Sequence, residues 1–417
     1  IFFLISSFNN MNHIINNMNK LSIECKCKIN IYSINNIKLK LNSHNKVTLI
    51  ILTRLLYLKD EVEYMVLFSI LKNDLYQAIF WVHELFYSGF EYETFKLLHN
   101  IYLLFYAELN PRFHDYIIKR YHIFNDENES NYKNFDLIIN IIINIIRFKY
   151  TFNVFIVYNI LCCDYINYNP TPYKGRKPKF LENYEGKFHT LLLAINKKDY
   201  FNMALCLKHL PIDSILYNVL IHYFINVENV NLYQDKLNDL YNHYINNELN
   251  NCIIKYIIYI IFICHLDEKE VNLKKIYHTI NDEIKNYFIS LSDYQHITTY
   301  NILCQKRLYG VNDLLSIFHL SRDNLDKQLT LSKLIAFHGY YFSSYSPLWN
   351  KILCDIDENW SYDHSNYQII FSSEDKKEIF ENGFNLEHDE QPLDIQNYAI
   401  KLLASCTFED LLTYLSI

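Results

Sequence analysis

Between Asp74 and Pro111 the apolar residues recur on a helical period, and that leaves this stretch few alternatives. Leu75, Ala78, Ile79, Val82, Leu85 and Phe86 fall at i, i+3, i+4, i+7, i+10 and i+11, one stripe of a 3.6-residue helix. Asn73 or Asp74 is placed to accept from the free N–H groups of the first turn. Gly89 sits where a helix end favours a left-handed residue. A second stripe runs Phe95, Leu98, Ile101, Tyr102 and Phe105. It stops before Pro111, which has no N–H and biases Asn110 away from helix. The connector is only a few residues long, so the two helices are expected to pack as an antiparallel hairpin. Trp81 lies at the edge of the first stripe, as a packing anchor or as part of a binding surface. His83 and Glu84 stand in heavily apolar sequence. Consecutive helical residues point about 100° apart, so the two are expected to act separately, with Glu84 meeting a neighbouring helix.

The rest of the chain has a composition that suits more of the same. Only 6 Gly and 7 Pro occur in 417 residues, which argues against a sandwich, a barrel or a glycine-rich phosphate loop. Tyr 37 and Phe 28 supply ample surface to bury. The expectation is a mainly α fold, an irregular array of antiparallel helical hairpins in two blocks; the short spacing is repeat-like but has no fixed period. The many Asn, Ile, Lys and Tyr residues match AT-rich codons. Asn clusters such as Asn16-Asn17 and Asn246-Asn247 are therefore discounted as functional signals and read as loops. A net charge of −7 gives no global footprint for nucleic acid. The 10 Cys are scattered, mostly in apolar runs, as expected of a reducing intracellular compartment without a disulfide framework. No window reaches the roughly 18 uninterrupted apolar residues of a membrane span. Leu137–Ile146, Thr151–Cys163 and Tyr256–Cys264 read as buried core helices.

Along the chain, residues 1–46 form an N-terminal extension. Its apolar start, Ile1–Phe8, reads as translated sequence upstream of Met11 or Met18, with a signal-peptide remnant as the alternative. Within it, Cys25–Leu41 alternates with a two-residue period, predicting a short β-hairpin. Residues 47–166 are a first helical block, with helices expected at 48–58, 61–71, 74–87, 91–109, 112–122, 135–147 and 151–163. Residues 167–180, with Pro170, Pro172, Gly175 and Pro178, read as a linker and the main domain boundary. A second helical block, 181–342, opens with helices at 181–196, 198–209 and 212–226. Residues 343–417 form a small irregular acidic tail with a short strand at Tyr367–Phe371 and a final helix at 393–415.

Two segments carry a family resemblance. The first is Asp74–Pro111, with its Ala-Ile-Phe-Trp, Glu-Leu-Phe-Tyr-Ser-Gly-Phe and Phe-Tyr-Ala-Glu-Leu-Asn-Pro elements. The second is Ile379-Phe-Glu-Asn-Gly-Phe-Asn-Leu-Glu-His-Asp-Glu-Gln-Pro392. Both resemble an uncharacterised family of nucleocytoplasmic large DNA viruses, covering about an eighth of the chain. The resemblance implies kinship and a viral setting, and brings no catalytic residues.

Candidate sites are sparse. Lys174, Arg176, Lys177 and Lys179 place four cations in six residues, a pattern that grips phosphate backbones and also occurs as a plain solvated loop. Glu387, His388, Asp389 and Glu390 offer metal-type ligands but read more simply as an acidic patch before Pro392, favourable to a helix N-terminus. Asp355 and Asp357 form an isolated Asp-x-Asp, while Cys25/Cys27, Cys162/Cys163 and Cys264-His265 lack zinc spacing. No metal, cofactor or catalytic residue is assigned. The leading expectation is a non-catalytic helical scaffold that binds other proteins, with Trp81 and Glu84 as candidate binding residues. The alternative is a nucleic-acid-associated replication or transcription accessory factor using the basic segment 174–179. A third class, an enzyme with an unfamiliar site, requires residues such as Glu84, His364 and Glu387 to converge.

Overall fold

Helices α1 (Lys59–Leu71) and α2 (Leu75–Phe86) are joined by a turn whose chemistry recurs elsewhere in the molecule. Asn73 is left-handed (φ 59°), the Asn73 N–H donates to Ile70 O and the Asp74 N–H to Ser69 O. This is the Schellman arrangement that closes a helix. Asp74 at once caps the next helix, its side chain accepting from the Gln77 N–H at 3.1 Å. Gly89 (φ 90°) ends α2 in the same way, with Phe90 N–H donating to Leu85 O, and leads into α3 (Glu91–Ile101). A third copy joins α7 (Gly186–Asn196) to α8 (Tyr200–His209). There Lys198 is left-handed (φ 55°), Asp199 N–H donates to Ala194 O, and the Asp199 side chain caps Asn202 N–H.

A computed structural model of the chain describes residues 51–54, 57–124, 131–162, 168–211, 214–224, 257–259, 261–262, 277–290 and 338–383. The hairpin expected at Cys25–Leu41, the cluster Glu387–Glu390 and the final helix at 393–415 lie outside them. The fold is mainly α. The remaining helices are α4 (Phe113–Phe124), α5 (Asn131–Ile145), α6 (Asn153–Cys162), α9 (Ser214–His222), α10 (Asp282–Ser290), α11 (Gly339–Ser343), α12 (Pro347–Ile356) and α13 (Glu374–Gly383). Strands β1 (Ser361–Asp363) and β2 (Gln368–Ile370) form an antiparallel pair, with Tyr362 opposite Ile369. The strand expected at Tyr367–Phe371 is therefore present, and its partner β1 was not anticipated.

The described residues group into two compact units, 157–219 and the remainder. In the larger unit α2 is central, packing on α1, α3, α5 and α10. From Ala78 to Phe86 every residue except the half-buried Phe80 is buried, so beyond its first turn this helix is enclosed rather than merely striped. α3 continues as a π-helical turn, Tyr102–Tyr106, that carries Tyr102, Phe105 and Tyr106 into the core. The chain leaves the helix at Asn110-Pro111, as the Asn-Pro pair implies. Asn110 is held there, its Nδ2 donating to Tyr106 O at 3.0 Å and to Lys149 O at 2.9 Å.

The described residues of the range 48–58, where a helix is expected, are not helical. Ile51–Arg54 and Tyr57–Leu58 run antiparallel, with a bridge between Leu52 and Leu58. Both leucines are buried with Tyr341, Phe342, Leu353 and Phe380. Each strand-like arm of this turn thus has an apolar partner, and two leucines packed in one core outweigh the helical option open to any short apolar run.

In the smaller unit, residues 168–178 do not stand free as a linker but lie along the α7–α8 hairpin. Asn202 binds both backbone groups of Thr171, accepting from its N–H at 2.8 Å and donating to its carbonyl at 2.9 Å. The Tyr173 hydroxyl donates to Asp199 Oδ2. A β-carbon at Gly175 would lie 3.7 Å from Leu193 Cδ1, so the segment runs against α7. The boundary drawn at 167–180 therefore falls inside one unit.

Candidate functional site

Arg54, at the tip of the Leu52–Leu58 turn, reaches into the enclosed end of α2. Its Nη2 lies 3.3 Å from Glu84 Oε2 and 3.4 Å from His83 Nδ1, and all three side chains are buried. The angular argument that His83 and Glu84 act separately is thus overturned, because one guanidinium spans the gap between two neighbouring side chains. A guanidinium only donates, so His83 Nδ1 must be an acceptor and the ring is neutral. Burial lowers the His83 pKa to about 3, and the Arg54 charge adds to the effect. Ser88 completes the cluster. Its hydroxyl accepts from the Arg54 N–H at 2.7 Å and donates to the Glu84 carbonyl at 2.5 Å. Both capacities are thereby committed to backbone, and the arrangement is an ion-paired joint between a turn and a helix, not a nucleophile–base pair.

The same corner is closed by residues up to 296 positions later in the chain. Leu348 N–H donates to Ser88 O at 3.2 Å, and Trp349 Nε1 donates to Thr53 O at 3.4 Å. Gly89 is what permits the approach, for a β-carbon there would lie 2.6 Å from Pro347 Cβ.

Trp81 is buried, edge-on to Tyr57 at 5.0 Å and Phe80 at 4.8 Å, with Nε1 donating to Gln77 Oε1 at 3.1 Å. It occupies a packing position. Lys174, Arg176 and Lys179 are exposed, whereas Lys177 Nζ turns back to donate to Tyr184 O at 2.6 Å.

No protein-family model, curated protein or solved structure matches this chain.

The acidic pair in the tail is divided between two roles. Asp355 is exposed, while Asp357 is buried and accepts from Ser372 N–H at 2.6 Å and Ser372 Oγ at 2.8 Å. Those bonds hold its carboxyl below the usual range. No metal-type cluster of His, Cys, Asp and Glu occurs among the described residues. His364 is exposed in the β1–β2 turn, hydrogen-bonded to Tyr341 at 2.8 Å and stacked on Tyr362 at 5.2 Å. It shares no site with the enclosed Glu84. Arg54, Ser88, Asn202 and this tyrosine–histidine stack escaped sequence reasoning. The one available signal for Arg54 was a lone cation in an apolar run, matched by the lone carboxylate Glu84 in another. No helix of the described residues is long and apolar enough to cross a membrane.

Proposed function

We propose that this protein is a non-catalytic helical scaffold that binds other proteins. The observation that supports this reading is the use made of its buried carboxylates. Among the described residues Glu84, Glu108 and Asp357 are the buried acidic side chains. Glu84 faces Arg54, Glu108 accepts from Thr151 Oγ1 at 2.6 Å and Asn153 Nδ2 at 2.9 Å, and Asp357 holds Ser372. Each joins one segment to another. Catalytic carboxylates are instead aimed at a substrate position. The resemblance of Asp74–Pro111 and Ile379–Pro392 to a family of large DNA viruses supports a viral setting, with a role in assembly or on host proteins inside the cell.

The surface offers anchors for such binding. Ile370 on β2 and Ile379 on α13 are more than half exposed, apolar surface available to a partner. The test is affinity capture from infected cells with the intact chain and with an Ile370→Asp/Ile379→Asp variant of equal melting temperature. A partner retained by the first and lost by the second supports the reading. If the intact chain retains no more protein than an unrelated helical control, the scaffold reading fails.

A further inference from the structure

The unit of residues 157–219 carries a charge opposite to that of the whole chain. Residues 168–211 contain eight Lys or Arg against three Asp or Glu, in a protein of net charge −7. One of the three, Asp199, is engaged with Tyr173 and with the Asn202 N–H. The positive charge is thus concentrated locally, and such local concentration, not the global balance, sets the field that a polyanion meets.

The segment that presents this charge is held against the hairpin at Thr171, Tyr173 and Gly175. Its residues divide between its support and solvent. Tyr173, Gly175 and Lys177 face its support: Tyr173 binds Asp199, Gly175 lies over Leu193 and His189, and Lys177 donates to Tyr184 O. Lys174 and Arg176, between them, are exposed, and Lys179 is exposed one turn further on. Pro170, Pro172 and Pro178 restrict the same segment, so little chain entropy remains to be lost on binding. Lys197 and Lys198, also exposed, border it, with Lys197 Nζ 4.0 Å from the centre of the Tyr173 ring.

Aromatic rings stand at both ends of this cationic row. Tyr184, whose carbonyl receives Lys177, is 37% exposed. At the other end Phe201 is 44% exposed, next to the Asn202 that holds Thr171. Tyr168 is 63% exposed, with its carbonyl 3.1 Å from His209 Nε2. Cations in a fixed row flanked by open aromatic faces are what a single strand needs: the charges track its backbone and the rings receive unpaired bases.

We infer that the strap 170–179 on the α7–α8 hairpin is a binding site for single-stranded nucleic acid, with Lys174, Arg176 and Lys179 on the phosphates and the exposed rings of Tyr184, Phe201 and Tyr168 available to the bases. The site reads no sequence, because it has charges and ring faces but no recognition helix. It is independent of the scaffold reading, which rests on other residues.

The test uses the full chain and a fluorescently labelled oligothymidylate, with binding followed by anisotropy. Three phosphate contacts on a single strand give a slope of about −2 for log K against log salt, or a fall of roughly twentyfold between 50 and 200 mM salt. The K174Q/R176Q/K179Q variant is expected to lose that slope and most of the low-salt affinity, while K174R/K179R retains both. An abasic oligomer of equal length should bind about tenfold more weakly, since base stacking is removed. Absence of low-salt binding, or undiminished binding by the triple Gln variant, overturns the proposal. Equal affinity for the abasic oligomer overturns the role of the rings. Sedimentation with phosphatidylserine vesicles in the absence of oligonucleotide binding shows a lipid surface instead, and likewise overturns it.

Discussion

Acid should loosen this fold in part through one buried imidazole. His83 has its pKa lowered from 6.5 to about 3 because the ring is buried beside Arg54. The unfolded chain therefore takes up a proton near pH 6.5 that the folded chain refuses until about pH 3. The sign follows: the contribution is intact above pH 6.5 and is lost as the pH falls towards 3. At 1.36 kcal/mol per pKa unit, the linkage amounts to about 2 kcal/mol by pH 5, and the full shift amounts to several kcal/mol on an order-of-magnitude reckoning. The assay is urea unfolding at pH 7 and pH 5 of the natural chain and of His83→Gln, whose amide oxygen can still accept from Arg54 but does not titrate. Other groups titrate in both proteins, including His338, whose pKa is also lowered by burial, and cancel in the comparison. The natural chain should lose about 2 kcal/mol more than the variant between the two pH values. Equal losses would refute the reasoning, as would an imidazole NMR signal of His83 that titrates near pH 6.5.

Other perturbations bear on the same architecture. Gly89→Ala places a β-carbon 2.6 Å from Pro347 Cβ at φ 90°. It should cost about 2–5 kcal/mol in denaturant unfolding, and an unchanged midpoint would show that the loop gives way freely. Trp81→Ala should cost about 3–5 kcal/mol, whereas an unchanged melting temperature would move Trp81 to the surface. Asp199→Ala removes a helix cap and the Tyr173 tie together, so it should exceed the roughly 1 kcal/mol expected of Asp74→Ala, which removes a cap alone. Alkylation of the native protein followed by peptide mapping should label exposed Cys354 and spare Cys206, which is buried and has its pKa pushed up to about 12.

The helices α2 and α3 are legible because three independent signals coincide there: a 3.6-residue stripe, a glycine at the break between them and an Asn-Pro stop. What escaped was whatever depends on a partner far away in the chain. Arg54 falls within the helix expected at 48–58, and nothing local points to its carboxylate, which lies 30 positions further on. The basic segment looked like a linker because Pro, Gly and Lys are loop residues by composition, and nothing local reveals that Asn202 grips it. Asn also serves inside helices as a clasp. Asn144 in α5 binds both backbone groups of His278, at 2.8 and 2.9 Å, just as Asn202 in α8 binds those of Thr171. An amide has one donor end and one acceptor end, so it can copy the pairing of a neighbouring strand. That makes a polar residue in a helix interior a better sign of a docked segment than of a break.

The bond from Trp349 to Thr53 sets a schedule for assembly. It joins residues 296 positions apart. At ordinary ribosomal speeds, roughly 15–60 s separate the emergence of these two residues. Throughout that interval Leu52 and Leu58 lack the Tyr341, Phe342, Leu353 and Phe380 surface that covers them in the finished molecule. Helical hairpins such as α1–α2 close locally and quickly, but this corner must wait, because contacts of such separation form late. The nascent chain therefore carries a sticky apolar turn throughout that interval, and chaperone dependence should be concentrated there.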